Sequence, residues 1–145
     1  MGFLLRDGRL KRLLEEIRSS LNIVKSMVDM DHASFTIDLR NRYTLRLALV
    51  EVVEASVNLG IYILRNFLGV RRVEGYLQVF RSLVNYGVIS PEVGDEMEKL
   101  TRLRNLIIHR YWEIDDSRIY KEAKSNGLKV ILKFIEEIEK YASQA

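Results

Sequence analysis

The chain has 145 residues, 48% of them hydrophobic and 30% charged, with one Pro, eight Gly and no Cys. That length suits a single domain over residues 1–145 with a real core, and the scarcity of turn residues excludes a loop-rich all-β fold. Without Cys there is no disulfide scaffold, thiolate metal site or Cys nucleophile, and a net charge of +3 does not mark a nucleic-acid protein unless the cations cluster locally.

The N-terminus Met1-Gly2-Phe3-Leu4-Leu5-Arg6 has no long apolar core and no small-residue cleavage site, so no signal peptide is expected and the cytoplasm is the expected compartment. Residues 3–28 carry Leu10, Leu13, Leu14, Ile17, Leu21, Val24 and Val28 at steps of three and four, which predicts a helix with one apolar face. The polar run 29–34 ends it. Within that run Asp29, Asp31 and His32 are ligand-type residues, but no further cluster supports a metal site, so a polar turn is expected and no metal.

A second helix is predicted over about 36–68, apolar nearly all round, as a central element covered on several sides would be. Its most apolar part, Leu45 to Val70, holds Arg46, Glu51, Glu54, Asn58, Arg65 and Asn66, which argues for a buried helix and against a membrane span. Glu51, Glu54, Asn58 and Arg65 follow steps of three, four and seven and form one stripe. A shorter helix at 73–86 turns Leu77, Phe80, Leu83 and Val84 inward and stops at Gly87. Ser90-Pro91 reads as N-cap and first position of a fourth helix, which runs to about His109 and buries Val93, Met97, Leu100, Leu103 and Ile107. Asp115-Asp116-Ser117 caps a last helix to about Tyr141, which Gly127 interrupts without having to break. The expected fold is all-α, an antiparallel bundle of four long helices and one short one. Tyr43, Tyr62 and Tyr76 are expected as core or interface aromatics.

The end of the fourth helix reads Arg104-Asn105-Leu106-Ile107-Ile108-His109-Arg110-Tyr111. It joins a fixed cation, a group whose type titrates near neutrality, and a phenol. A shuffled chain of this composition would hold Arg-x4-His-x-Tyr only about 0.01 times, so chance explains it poorly. The pattern resembles the hallmark of the HEPN superfamily in its HepT-like branch. The resemblance covers Tyr43 to about Ile138, including "YGVIS", "MEKLTRLRNLIIHRYWEID" and "IYKEAKSNGLKVILKFIEEI". It implies the toxin of a toxin–antitoxin pair: an all-α homodimer whose two Arg-His motifs line a cleft, cutting RNA without metal or cofactor. It further implies an MntA-like nucleotidyltransferase antitoxin that transfers AMP to the motif Tyr. Carried over, Arg104 and His109 are catalytic and Tyr111 is modified. A catalytically silent binding module, or an accessory subunit of the nucleotidyltransferase, would also keep the motif.

The residue types suit that chemistry. RNA supplies its own nucleophile, the 2′-hydroxyl, so cleavage needs proton transfer, which an imidazole provides, and charge stabilisation, which a guanidinium fork provides. Asn105 and Arg110 are candidates for holding substrate, and Glu51, Glu54, Asn58 and Trp112 for a surrounding shell. Geometry adds a constraint. Five residues are 500° of helix, so Arg104 and His109 stand about 140° apart, whereas Arg104 and Tyr111 nearly coincide if the helix persists. Either the helix unwinds near His109 or the working pair meets across a dimer interface.

Overall fold

The computed structural model describes residues 6–145; residues 1–5, including the start of the helix expected from residue 3, lie outside the described residues. Seven α-helices follow one another: α1 Gly8–Asp29, α2 His32–Ile37, α3 Leu39–Asn66, α4 Tyr76–Asn85, α5 Pro91–His109, α6 Asp116–Glu122 and α7 Leu128–Gln144. A five-residue π-turn at Ala123–Gly127 joins α6 to α7, so the last long helix continues through Gly127 with one widened turn.

Side chains with local oxygen acceptors set the boundaries. The Asp7 carboxylate accepts from the Arg9 and Leu10 amides, both at 2.9 Å, and so starts α1. Ser90 caps α5 ahead of Pro91, and Asp115 caps α6. Gly87, at φ 74°, takes the left-handed conformation that ends the α4 segment. Two boundaries differ from the sequence expectation. The polar run after α1 contains a helix of its own, because Asp31 caps α2 and Asp38 caps α3, splitting the element expected from 36. And α4 begins at Tyr76, because Gly75 precedes it at φ 85° and leaves Val73 and Glu74 in the loop.

Pairings between helices fix their directions. Tyr62, late in α3, donates to Asp7 at the start of α1, so these helices run antiparallel. Glu137 of α7 accepts from the Ser90 amide at the start of α5, while Asn126 reaches Glu96, which makes α5 and α7 antiparallel. Arg18 to Glu139 closes α1 onto α7. The resulting core has α3 at its centre, with Leu45, Leu49, Val52, Val53, Leu59, Ile63 and Leu64 buried. By length and composition α3 passes as a membrane span, but two-thirds of its apolar window is covered by its neighbours, as expected of a buried helix. Phe80 and Phe134, both fully buried, meet edge to face at 6.0 Å between centroids. Each such side chain contributes about 1.5–3 kcal/mol by leaving water. Gly60 of α3 lets α4 approach closely: a Cβ there would stand 2.5 Å from Val79.

Candidate functional site

Arg104 sits on the side of α5 that faces α3, and its side chain is only 17% exposed. Its Nη2 lies 2.6 Å from Glu54 Oε1 and its Nε donates to the same oxygen at 2.9 Å. Nη1 donates to Asn105 Oδ1 at 3.0 Å. The guanidinium carbon stands 4.8 Å from the centroid of the Tyr76 ring, and the Tyr76 hydroxyl donates to the other Glu54 oxygen at 2.7 Å. A guanidinium has five N–H donors. Three are used here, so one on Nη1 and one on Nη2 have no protein partner among the described residues. The Tyr76 hydroxyl is pushed above the usual phenol value, chiefly by its bond to Glu54, then by burial and by the Glu54 charge, with Arg104 opposing.

His109 is the last residue of α5 and is exposed. The helix remains regular up to it. It breaks one residue later, where Arg110 adopts φ −138° and ψ 44°, and Tyr111–Glu113 form a 3₁₀ turn. The helix thus ends near His109, one of the two alternatives the sequence left open, and it does not persist as far as Tyr111. Unwinding does not carry His109 round to Arg104, because it starts beyond the imidazole. Nor does Tyr111 share the Arg104 azimuth, because the helix that would align them has ended. Within one chain the Arg and His therefore project from different sides of α5.

Tyr111 and Trp112 are 62% and 68% exposed and meet edge to face at 5.4 Å. Arg110 approaches Glu113 at 3.6 Å, an exposed pair of little energetic weight that leaves the guanidinium free to bind elsewhere. Beyond the turn, the Asp116 carboxylate takes a two-point clamp from Arg46, at 2.7 and 2.6 Å. That clamp ties the start of α6 to α3, so the 110–115 segment is anchored at both ends.

Of the stripe on α3, Glu54 joins Arg104, whereas Glu51 and Asn58 face an open groove between α1 and α3 and are exposed. Arg65 lies further along the same groove. A more enclosed cavity of about 340 Å³, between α5 and the α6–α7 helix, contains none of the motif residues. Asp31 caps α2, and His32 meets Ser117 Oγ of α6 at 2.6 Å. Tyr62 and Tyr76 are partly buried and pack against the core, as expected, whereas Tyr43 does not. Tyr43 is 55% exposed beneath Arg46, Tyr62 reaches Asp7, and Tyr76 belongs to the Arg104 cluster. Nothing in the sequence links Tyr76 to Arg104, because no helical period connects different elements.

Comparison with known proteins gives consistent results. The family model described as "Ribonuclease HepT-like" matches residues 17–138. No curated protein matches the sequence. Among solved structures, a tri-AMPylated Shewanella oneidensis HEPN toxin in complex with MNT antitoxin aligns with a TM-score of 0.83 at 19% identity, covering 92% of this chain and 98% of that one. A toxin–antitoxin structure with AMP-PNP gives the same TM-score and identity, covering 92% and 99%. The cytosolic protein of unknown function YutE from Bacillus subtilis aligns at 0.70, again 19% identical, covering 90% of each chain. At that identity the structural matches establish a shared fold.

Proposed function

The chain belongs to the HepT-like ribonuclease family of the HEPN superfamily, and from that premise we propose that it is the toxin of a toxin–antitoxin pair, a cytoplasmic metal-independent endoribonuclease. The observation that carries the proposal is the state of Arg104. Its fork is held by Glu54, Asn105 and the Tyr76 ring, and it keeps two N–H groups for a phosphate. A cation so fixed is preorganised for charge that develops at phosphorus. His109 is the proton-transfer group. The 2′-oxygen of RNA attacks phosphorus, the P–O5′ bond breaks, and a 2′,3′-cyclic phosphate results. The imidazole removes the 2′-hydroxyl proton or returns one to the 5′-oxygen. Arg110, free on the surface, contacts a backbone phosphate.

Because Arg104 and His109 project from different sides of α5, the functional unit is a homodimer in which the arginine of one copy works with the histidine of the other. The exposed apolar residues Leu39, Tyr43 and Leu47 of α3, with Ile108 and Trp112, supply the surface for such an association. An MntA-like nucleotidyltransferase silences the toxin by transferring AMP to Tyr111, whose exposed hydroxyl is open to an enzyme. The added phosphate brings negative charge beside Arg110 and blocks the approach of RNA.

The test is incubation of the purified protein with RNA in EDTA. Cleavage that persists and leaves 2′,3′-cyclic or 3′-phosphate ends is expected, and His109→Ala abolishes it with the helical circular dichroism unchanged. Products with 5′-phosphate and 3′-hydroxyl ends would point to an activated water and overturn the mechanism. A wild-type protein that cuts no RNA, alone or after removal of bound antitoxin, would favour a silent binding module.

A further inference from the structure

Trp112 is the one tryptophan of the chain and lies mostly exposed, three residues after His109. So large an apolar side chain is ordinarily well covered. Its backbone is nevertheless held. The Arg110 amide donates to the Leu106 carbonyl at 2.8 Å, the Glu113 amide to Arg110 at 2.9 Å and the Ile114 amide to Tyr111 at 3.3 Å, and the Ile114 side chain packs against the core. Beyond the turn, Asp115 caps α6 and Arg46 clamps Asp116. The indole is therefore presented on a fixed turn, and a preformed platform costs less ordering entropy on binding than a loose one. The Tyr111 and Trp112 ring planes stand 81° apart, so Tyr111 covers at most one face of the indole and leaves the other open.

Other exposed aromatic rings lack this setting. Tyr43 carries the Arg46 guanidinium over its ring at 5.0 Å, and Tyr86 lies just before Ser90, at the opposite end of α5 from His109. Beside the indole, Arg110 is held only by its weak contact with Glu113, so its guanidinium can take a phosphate. Glu113 is the one carboxylate of the turn, since Asp115 and Asp116 are engaged in α6. An aromatic face next to a cation is the arrangement that holds single-stranded nucleic acid without reading its sequence. Trp112 shares its chain with His109, so it belongs to the imidazole's half of a composite site whichever copy supplies the arginine. We infer that the open face of Trp112 is a nucleobase subsite: a base of the RNA strand beside the scissile linkage stacks on the indole while Arg110 holds an adjoining phosphate. This rests on RNA being the substrate. The stack positions the strand against His109, transfers no proton, and tolerates any base because every base has a π-face.

The experiment is binding of a labelled, fully 2′-O-methylated oligoribonucleotide, which cannot be cut, beside an abasic strand of the same length and charge. With one tryptophan in the chain, intrinsic tryptophan fluorescence reads Trp112 alone. The base-bearing strand is expected to quench it and the abasic strand to leave it unquenched. In anisotropy titrations over a salt series, Trp112→Leu is expected to bind about tenfold more weakly with the wild-type salt slope, because stacking releases no counterion. Arg110→Ala is expected instead to lower the slope by about 0.7, the loss of one phosphate contact to a single strand. Trp112→Phe, which keeps an aromatic face, restores most of the affinity. Binding that leaves the indole unquenched, or quenching as strong with the abasic strand, overturns the subsite and leaves the ribonuclease reading standing. So does a Trp112→Leu variant that light scattering shows to be a monomer where the wild type is a dimer, which would assign the indole to the partner copy. A wild-type protein that binds no RNA overturns both.

Discussion

Glu54→Gln tests the central geometry most directly, because it keeps the shape of the side chain and an acceptor for Tyr76 while removing the charge that holds Arg104. Hydrogen bonds to a charged group are worth about 1.5–3 kcal/mol, but Glu54 is 36% exposed, so solvent screening brings the expected stability loss to about 1 kcal/mol. For a chain of this size that is a fall in Tm of about 3 °C. Two effects on catalysis then have opposite signs. The arginine fork loses its fixed orientation, costing about 1–2 kcal/mol of transition-state stabilisation and lowering kcat about tenfold. The incoming phosphate is relieved of a carboxylate about 6 Å away, worth about 0.7 kcal/mol at a water-like dielectric of about 80, which lowers KM about threefold. Steady-state cleavage of a fluorogenic oligoribonucleotide, with thermal melts as the folding control, reads both. An intact fold with wild-type kcat and KM would refute the claim that Glu54 orients Arg104 beside the scissile phosphate.

Three further outcomes are expected. Co-expression of the Tyr111→Phe variant with an MntA-like nucleotidyltransferase leaves no AMP adduct by intact-mass spectrometry and leaves the variant toxic; an equally modified and silenced variant moves the modification elsewhere. Gly60→Ala gains about 1 kcal/mol of helix propensity but drives a methyl into Val79, a stiff β-branched side chain, and overpacking of about 1–3 kcal/mol makes the net change destabilising in urea denaturation. Asp7 is held below the ordinary carboxylate value of 3.8, first by the Leu10 amide and next by the Tyr62 hydroxyl, so its contribution is full above that value and is lost as pH falls through the lowered one. Urea midpoints of Asp7→Asn and the wild type should therefore converge as pH falls below 3.8, and a difference that stays constant on acidification would show that the carboxylate charge contributes nothing.

Much of the helical framework was legible in the residues themselves. The seven spaced apolar positions of α1, Leu10, Leu13, Leu14, Ile17, Leu21, Val24 and Val28, are buried as their spacing requires, and Ser90-Pro91, Asp115 and Gly87 mark boundaries by capping and turn chemistry that act within a few residues. The motif from Arg104 to Tyr111 was readable for the same reason, since its members lie close together in sequence, and it led to the family that the match over residues 17–138 then showed. The short α2 escaped because Asp31 and Asp38 look alike whether they end one helix or begin another. What only the tertiary structure decided is where the motif points and what holds it. Glu54 is 50 residues from Arg104 in sequence, and Tyr76 is brought to both by the turn at Gly75 and the packing of α4 on Gly60. The Arg46–Asp116 clamp, which spans 70 residues, likewise anchors the segment beyond the end of α5. Helical periodicity describes a side chain relative to its own axis. The angle between two axes is set by the packing of whole faces, and no spacing within one element records it.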